Sequence, residues 1–122
     1  MTQIHIKRVY EPEEATDGYR VLVDKLWSRG VSKKNFHYDL WAKDIAPSTP
    51  LRQWYHQNTE QNWEEFCELY IRELEESPVI REFIDKIKDE KTVTLLYGSK
   101  NATENHALVL QQFLEGYRAT HS

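Results

Sequence analysis

Apolar side chains follow two spacings along the chain, and both predict strands. Residues 3–10 alternate polar with β-branched or aromatic side chains, which is typical of a strand with one covered face. Residues 19–24 and 93–97 are nearly continuous apolar runs and are therefore predicted as buried central strands. Residues 38–45 are predicted as a further extended segment.

In the second half of the chain the apolar residues recur at helical spacing instead. Four residues that precede such stretches are predicted as helix N-caps: Thr49, Thr59, Ser77 and Thr103. A proline follows the first and the third of them, which suits the first helical position because proline lacks an N–H. The first of these helices is predicted to end near Asn58.

The order of the elements favours an α/β fold, a small and mostly parallel sheet with covering helices in a single compact domain. Strands lead, helices follow, and a strand–turn–helix unit closes the chain. A length of 122 residues suits one domain with its own core, so a single domain over residues 1–122 is predicted.

Composition excludes several classes of protein. No run of about 18 apolar residues exists, so no transmembrane helix is predicted, and the first residues lack the apolar stretch of a signal peptide. The single Cys67 excludes an internal disulfide and a cysteine-rich zinc module, and its place in an apolar stripe indicates core packing. A cytoplasmic protein without cofactor, metal or membrane partner is therefore expected.

The net charge of −4 is unevenly distributed. Residues 1–59 carry nine Lys or Arg against seven Asp or Glu, and residues 60–122 carry seven against thirteen. A negative total weighs against non-specific binding of nucleic acid. The basic half nevertheless contains Trp27, Trp41 and Trp54, which either stack on bases, as in single-strand binders, or pack as core and rim.

The turn after residues 93–97 is the most informative local unit. It places a polar loop at the carboxyl end of a buried strand and before a helix, where open α/β sheets bind ligands and helix dipoles favour anions. Tyr97, Ser99 and Asn105 are predicted to line a pocket there, although a plain capped turn is the alternative. His106 is a candidate acid or base near neutral pH, or a histidine that donates to a core carbonyl.

Basic residues near the predicted strand ends and helix start are candidates for holding an anionic ligand: Arg8, Arg20, Arg29, Lys43 and Arg52. Asp24 ends a hydrophobic strand and is the second candidate acid or base, because a buried charge must be paired or functional. The alternative is an internal network in which the arginines pair with Asp24 and Asp44.

Several blocks of the sequence together resemble one known family: Lys7-Arg8-Val9-Tyr10-Glu11-Pro12, Leu26-Trp27-Ser28-Arg29-Gly30, Leu40-Trp41-Ala42-Lys43-Asp44 and Asn105-His106-Ala107. They are similar to the YeaO-like family of uncharacterised bacterial proteins, a domain of unknown function. The resemblance covers nearly the whole chain and implies a compact α/β domain in the bacterial cytosol, with no accepted reaction.

The resemblance also bears on chemistry. The wider superfamily usually has a cysteine at the position of Tyr97, and Cys-His-Arg at the positions of Asn105, His106 and Ala107. Only the histidine is kept in this chain, which weighs against nucleophilic chemistry by a thiolate.

The resulting functional hypothesis is a domain that binds a small anionic ligand, such as a phosphate- or nucleotide-like group. If the domain is an enzyme, hydrolase or transferase activity through Asp24 or His106 is expected. The alternative hypothesis is a non-catalytic regulatory domain that binds nucleic acid or protein. The sequence indicates no oligomeric state.

Overall fold

The sheet in the computed structural model, which describes residues 2–121 and their side chains up to residue 117, has four strands. They are β1 (Gln3–Arg8), β2 (Tyr19–Leu22), β3 (Leu40–Trp41) and β4 (Thr92–Tyr97). All of them run parallel, in the order β1-β4-β2-β3. The predicted segment 38–45 contributes only the two residues of β3, because the chain turns into a short 3-10 helix at Lys43–Ile45.

In the described residues, four α-helices complete the α/β fold that the element order predicted: α1 (Thr49–Gln57), α2 (Thr59–Glu76), α3 (Ile80–Ile87) and α4 (His106–His121). A second 3-10 helix spans Ala15–Asp17. Within the described residues, no helix combines the length and the apolar character that crossing a membrane requires.

The helix caps differ from the prediction. Ser48 Oγ accepts from the Leu51 N–H at 3.3 Å, and Asn58 Oδ1 accepts from the Gln61 N–H at 3.2 Å, so Thr49 and Thr59 are first helical residues instead of caps. The predictions for Thr103 and Ser77 were also wrong: α4 begins at His106, and Val79 precedes α3. The side-chain oxygen of a cap must reach an N–H two or three residues ahead, and serine or asparagine does this at least as well as threonine.

The two faces of the sheet are covered differently. The helices pack on the face that presents Val21 and Leu95, where they form the main core. The other face presents Leu22 and Leu96, and it is covered by residues 25–41, a stretch that we call the covering loop.

Aromatic rings hold the covering loop on the sheet. The ring of Trp27 meets those of Phe36 and Trp41 edge-on, with centroids 5.8 and 5.5 Å apart. Trp54 packs against the main core instead. Among the described residues, all three N-terminal tryptophans are therefore packed and partly buried.

The connections that follow the two inner strands leave in opposite directions. After β4 the chain enters α4, which packs against β1, whereas the chain after β2 leads to β3 on the other side. Such a reversal between neighbouring parallel strands opens a crevice at their carboxyl ends. In this fold the crevice lies between the ends of β2 and β4.

Candidate functional site

A pocket of about 350 Å³ lies at the carboxyl ends of β2 and β4, a volume at the lower end of the range for small-molecule sites. Its walls come from the residues that follow these strands, from α1 and α2, and from the start of α4. Five predicted site residues line it together: Asp24, Arg52, Ser99, Asn105 and His106.

Asp24 and His106 form a close pair in this pocket. Asp24 Oδ2 accepts from the Gly98 N–H at 2.9 Å. His106 Nε2 lies 3.1 Å from the Val23 carbonyl oxygen and 3.0 Å from Asp24 Oδ1. Because both neighbours of Nε2 are acceptors, that nitrogen carries the proton, and Nδ1 is the nitrogen left without a partner among the described residues.

Two polar atoms beside this pair are buried without a hydrogen bond from any described residue: Asp24 Oδ1 and Ser28 Oγ. Asp24 Oδ1 is thus close to the His106 ring without a hydrogen bond from it, because the ring N–H is aimed at the Val23 carbonyl. Buried polar atoms are nearly always satisfied in folded proteins, so Asp24 at the pocket wall and Ser28 behind Gly98 have unused hydrogen-bonding capacity.

Gly98 allows the chain to pass close to these side chains. A Cβ at this position would lie 2.7 Å from Ser28 Oγ and 2.9 Å from Asp24 Oδ2. The indole N–H of Trp41 also donates to the Asp24 carbonyl at 2.7 Å. The absence of a side chain at residue 98 and the covering loop together position Asp24.

The loop after β4 is held by its own side chains. Asn101 Oδ1 accepts from the Glu104 N–H at 2.9 Å, and the buried Asn105 donates from Nδ2 to the Asn101 carbonyl at 2.9 Å. Asn105 Oδ1 accepts from the Leu108 N–H at 2.9 Å. Asn105 thus lines the pocket, but the backbone already occupies both ends of its amide, so it shapes the wall.

The opposite wall comes from α1 and α2. The ring of Tyr55 stacks on that of Phe66 with centroids 4.4 Å apart, and burial together with the Glu104 carboxylate raises the pKa of the Tyr55 hydroxyl. Arg52 is half-buried beside them, and its guanidinium makes no ion pair or hydrogen bond within the described part of the chain.

The sequence pattern did not single out several of these wall residues. Tyr55, His56 and Thr59 follow Arg52 at intervals of three, four and seven residues and share the pocket with it. Helical spacing from Arg52 within α1 points to Tyr55 and His56, whereas Thr59 begins α2 after the break at Asn58. Lys25, Asn101 and Glu104 also line the pocket, and they lie in the segments that follow the predicted strands 19–24 and 93–97.

Arg20 lies away from the pocket, in a buried cluster near the amino end of β2. Its guanidinium pairs with Asp17 and donates from Nε to the His37 carbonyl at 2.9 Å. Lys7 Nζ lies 2.7 Å from the other oxygen of Asp17. The partner of Arg20 is therefore Asp17, and neither Asp24 nor Asp44 takes that role.

The environment of Asp17 affects its titration. Burial on its own favours the neutral acid, but hydrogen bonds from Lys7, the Glu14 backbone and Arg20 outweigh that effect and hold the pKa of Asp17 below its ordinary value. This cluster is thus a stabilising ion network.

The other predicted ligand residues lie outside the pocket. Arg8 donates from Nε to the Ser99 carbonyl at 2.8 Å, and the Lys43 ammonium lies 5.2 Å above the Trp41 ring. Arg29 is exposed, and its carbonyl accepts from the Tyr10 hydroxyl at 2.9 Å. Tyr97 is buried in the main core, and that burial raises the pKa of its hydroxyl.

Cys67 lies partly buried on α2, where burial and nearby carboxylates raise the pKa of its thiol, so the thiolate is disfavoured. Across residues 2–121, no group of three or more histidine, cysteine, aspartate or glutamate side chains is placed to hold a metal ion.

The comparison with known families adds the identification. A family model described as the inactive DUF488-N3 subclade matches residues 3–122. The chain belongs to this family. Its membership confirms the resemblance to the YeaO-like proteins.

Similar proteins are found in Escherichia coli and in two mycobacteria. The chain is 44% identical over 111 residues to the uncharacterized protein YeaO of Escherichia coli K12, covering 91% of this chain and 96% of that protein. It is 38% identical over 115 residues to the uncharacterized proteins Rv3073c of Mycobacterium tuberculosis and Mb3100c of Mycobacterium bovis, covering 94% of this chain and 96% of each. No solved structure matches it.

Proposed function

We propose that this DUF488 domain binds a small ligand through an anionic group, such as a phosphate or carboxylate, in the pocket between β2 and β4. The observation that carries the proposal is Arg52, a half-buried arginine that lines the pocket and has no partner among the described residues. A guanidinium presents a rigid fork of donors that matches a carboxylate or phosphate.

The start of α4 supports the same ligand chemistry. The first N–H groups of a helix have no acceptor within the helix. In α4, the side chain of Asn105 accepts a hydrogen bond from only one of them, the N–H of Leu108. The helix dipole adds partial positive charge at this end. The hydroxyl of Ser99 and the ring of His106, which line the same pocket, supply further groups for hydrogen bonds to the ligand.

Ligand binding without a catalysed reaction agrees best with the description of the family. Its subclade is described as inactive, and this chain has Tyr97 and Asn105 at positions where the wider superfamily usually has cysteine. The pair of Asp24 and His106 favours hydrolysis or group transfer as the second candidate. In that case His106 Nδ1 accepts a proton from water or a substrate hydroxyl, and the Asp24 carboxylate stabilises the imidazolium.

Thermal unfolding with inorganic phosphate, nucleoside monophosphates and sugar phosphates at millimolar concentration tests the binding proposal. We expect at least one of them to raise the melting temperature of the wild type and of Arg81→Gln, an exposed arginine on α3. Arg52→Gln should lose that rise. No rise with any ligand, or an equal rise in Arg52→Gln, would overturn the proposal.

Release of inorganic phosphate from the same ligands, followed by phosphorus NMR, tests the second candidate. Turnover by the wild type that His106→Gln and Asp24→Asn abolish, with folding intact, would establish hydrolysis. Binding that depends on Arg52 without any release would favour the non-catalytic domain.

A further inference from the structure

The pocket contains charges of both signs that do not neutralise each other. Arg52 and Glu104 are both half-buried and both line it. Within residues 2–121, neither side chain forms an ion pair or a hydrogen bond, and so they do not pair with each other. The Glu104 carboxylate is near enough to raise the pKa of the Tyr55 hydroxyl and of the Cys67 thiol.

A ligand with negative charge alone fits only part of this site. An anion near Arg52 shares the pocket with the Glu104 and Asp24 carboxylates, which repel it, while the exposed Lys25 is a second basic residue of the lining. Filling the pocket also removes water from these carboxylates, and a carboxylate that loses water without gaining a donor is costly to bury. The same two carboxylates stabilise an ammonium group or another N–H donor on the ligand.

We infer that the ligand is a zwitterion of the amino-acid or aminoalkyl-phosphate class, whose anionic group binds Arg52 while its ammonium group binds Glu104. This inference rests on the proposed function, since it requires that the pocket take an anionic group at Arg52. The shared chemistry is one anion and one ammonium on a single small molecule.

The remaining lining residues indicate an apolar body for this ligand. The stacked rings of Tyr55 and Phe66, Pro47 and the side chain of Leu26 present apolar surface to the pocket. Leu26 is 65% exposed, so most of its side chain is accessible at this wall. A pocket of about 350 Å³ accommodates a molecule the size of a large amino acid.

A set of matched probes tests the inference on the full chain. The twenty standard amino acids and phosphoethanolamine are titrated into labelled protein and followed by amide NMR shifts. Each probe that binds is compared with its N-acetyl derivative, which keeps only the anion. An amino acid that binds is also compared with its amide, which keeps only the ammonium. Comparison of the amino acids with phosphoethanolamine shows whether the site prefers a carboxylate or a phosphate as the anionic group.

Four substitutions accompany the probes: Arg52→Gln, Glu104→Gln, Glu104→Asp and, as the control, Glu60→Gln on the exposed start of α2. We expect shifts at pocket residues and about a tenfold weaker affinity for the zwitterion in Glu104→Gln, while the control remains unchanged. Glu104→Asp, which keeps the charge, should retain more affinity than Glu104→Gln.

The outcomes separate this inference from the proposed function. Suppose that an N-acetyl derivative binds the wild type as tightly as its parent amino acid does, and that Glu104→Gln also binds the two with equal affinity. The inference of a zwitterionic ligand is then overturned, while the anion site at Arg52 stands. If Glu104→Gln weakens parent and derivative alike, Glu104 acts through the fold, and the inference is also overturned. If no zwitterion binds, the inference fails, and the phosphate ligands then decide the proposed function alone.

Discussion

Both ends of strand β2 carry acidic and basic residues, but these are buried and paired at one end and partly exposed at the other. Near the amino end, Asp17 and Arg20 are only 5% and 3% exposed, and Lys7 completes their network. Beyond the carboxyl end, the side chains of Asp24 and His106 are 18% and 17% exposed, and Asp24 Oδ1 has no hydrogen bond among the described residues. We call these two regions the closed end and the open end.

The difference teaches how to separate structural charges from candidate binding groups. At the closed end every charged group has an opposite charge in contact, so burial is compensated within the chain. At the open end Arg52 and Glu104 add charges that have no such partner in residues 2–121. Parallel sheets place ligands at their carboxyl ends, and the half-buried Arg52 and Glu104, unpaired among the described residues, lie at that end of this sheet.

The largest expected effect is on the closed end. Asp17→Asn leaves Arg20 and Lys7 buried or partly buried without their counter-charge, so we expect a loss of about 3–5 kcal/mol in the free energy of unfolding. Urea unfolding measures it. Asp24→Asn, which keeps an oxygen for the Gly98 N–H, should lose about 1 kcal/mol or less. An equal loss in both variants would contradict the distinction between the two ends.

Two glycines provide a matched test of the same distinction. Gly18 has φ of +65°, and a Cβ there would lie 2.4 Å from the Thr92 carbonyl oxygen, so Gly18→Ala should cost about 3 kcal/mol of stability. The Cβ of Gly98→Ala meets side-chain atoms of Ser28 and Asp24 instead of backbone, so the pocket residue Asp24 is the group that it displaces. We therefore expect Gly98→Ala to weaken ligand binding more than it lowers the melting temperature.

The acid range gives a smaller effect at the closed end. Because the folded-state pKa of Asp17 is lowered, its contribution to stability is complete above its unfolded pKa, near 4, and is lost as the pH falls through the folded value. Melting temperatures between pH 2 and 6 should therefore fall less steeply with acid in Asp17→Asn than in wild type. Parallel curves would show that Asp17 contributes no proton linkage.

The smallest expected effect comes from His37 at the surface of the closed end. The Glu13 carboxylate, 2.7 Å from Nδ1, raises the folded-state pKa of His37; burial opposes this rise, and Asp39 adds to it. Its stabilising contribution is present below the unfolded pKa of about 6.5 and is lost as the pH rises through the folded value.

Melting temperatures from pH 5 to 9 check this contribution. His37→Gln should flatten a shallow decline, while His5→Gln at an exposed position of β1 should leave it unchanged. Because His37 is about half exposed, solvent screens its ion pairs, and a steep decline would contradict this assignment.

Much of the fold was predictable from local pattern. The apolar runs around Val21 and Leu95 and the helical stripe through Tyr70 are strong signals, because burial imposes a fixed period on each type of element. The short β3 and the caps at Ser48 and Asn58 were predicted less well. A two-residue strand and a helix cap each depend on a few specific hydrogen bonds, and the spacing of apolar residues does not predict them.

The candidate site was only partly predictable. Asp24, Ser99 and His106 were recognisable because they lie next to predicted strand ends and a predicted helix start. The packing of α1 on α2 places Arg52 beside these residues, and sequence spacing does not predict that packing. Glu104 is a candidate binding residue because it lines the same pocket as Arg52. A helical period places a residue on one face of its element but does not say what that face meets.

The sequence by itself determined the α/β class, the approximate order of strands and helices, and the family. Only the tertiary structure decided which charges compensate each other. Arg20 lies between Asp17 and Asp24 along the chain, and the turn at Ala15–Asp17 brings the first of these to it. Asp24 remains at the other end of the strand beside Gly98 and His106. The physical reason is that ion pairing depends on distances of a few ångströms across the fold, whereas sequence spacing constrains only neighbours on one element.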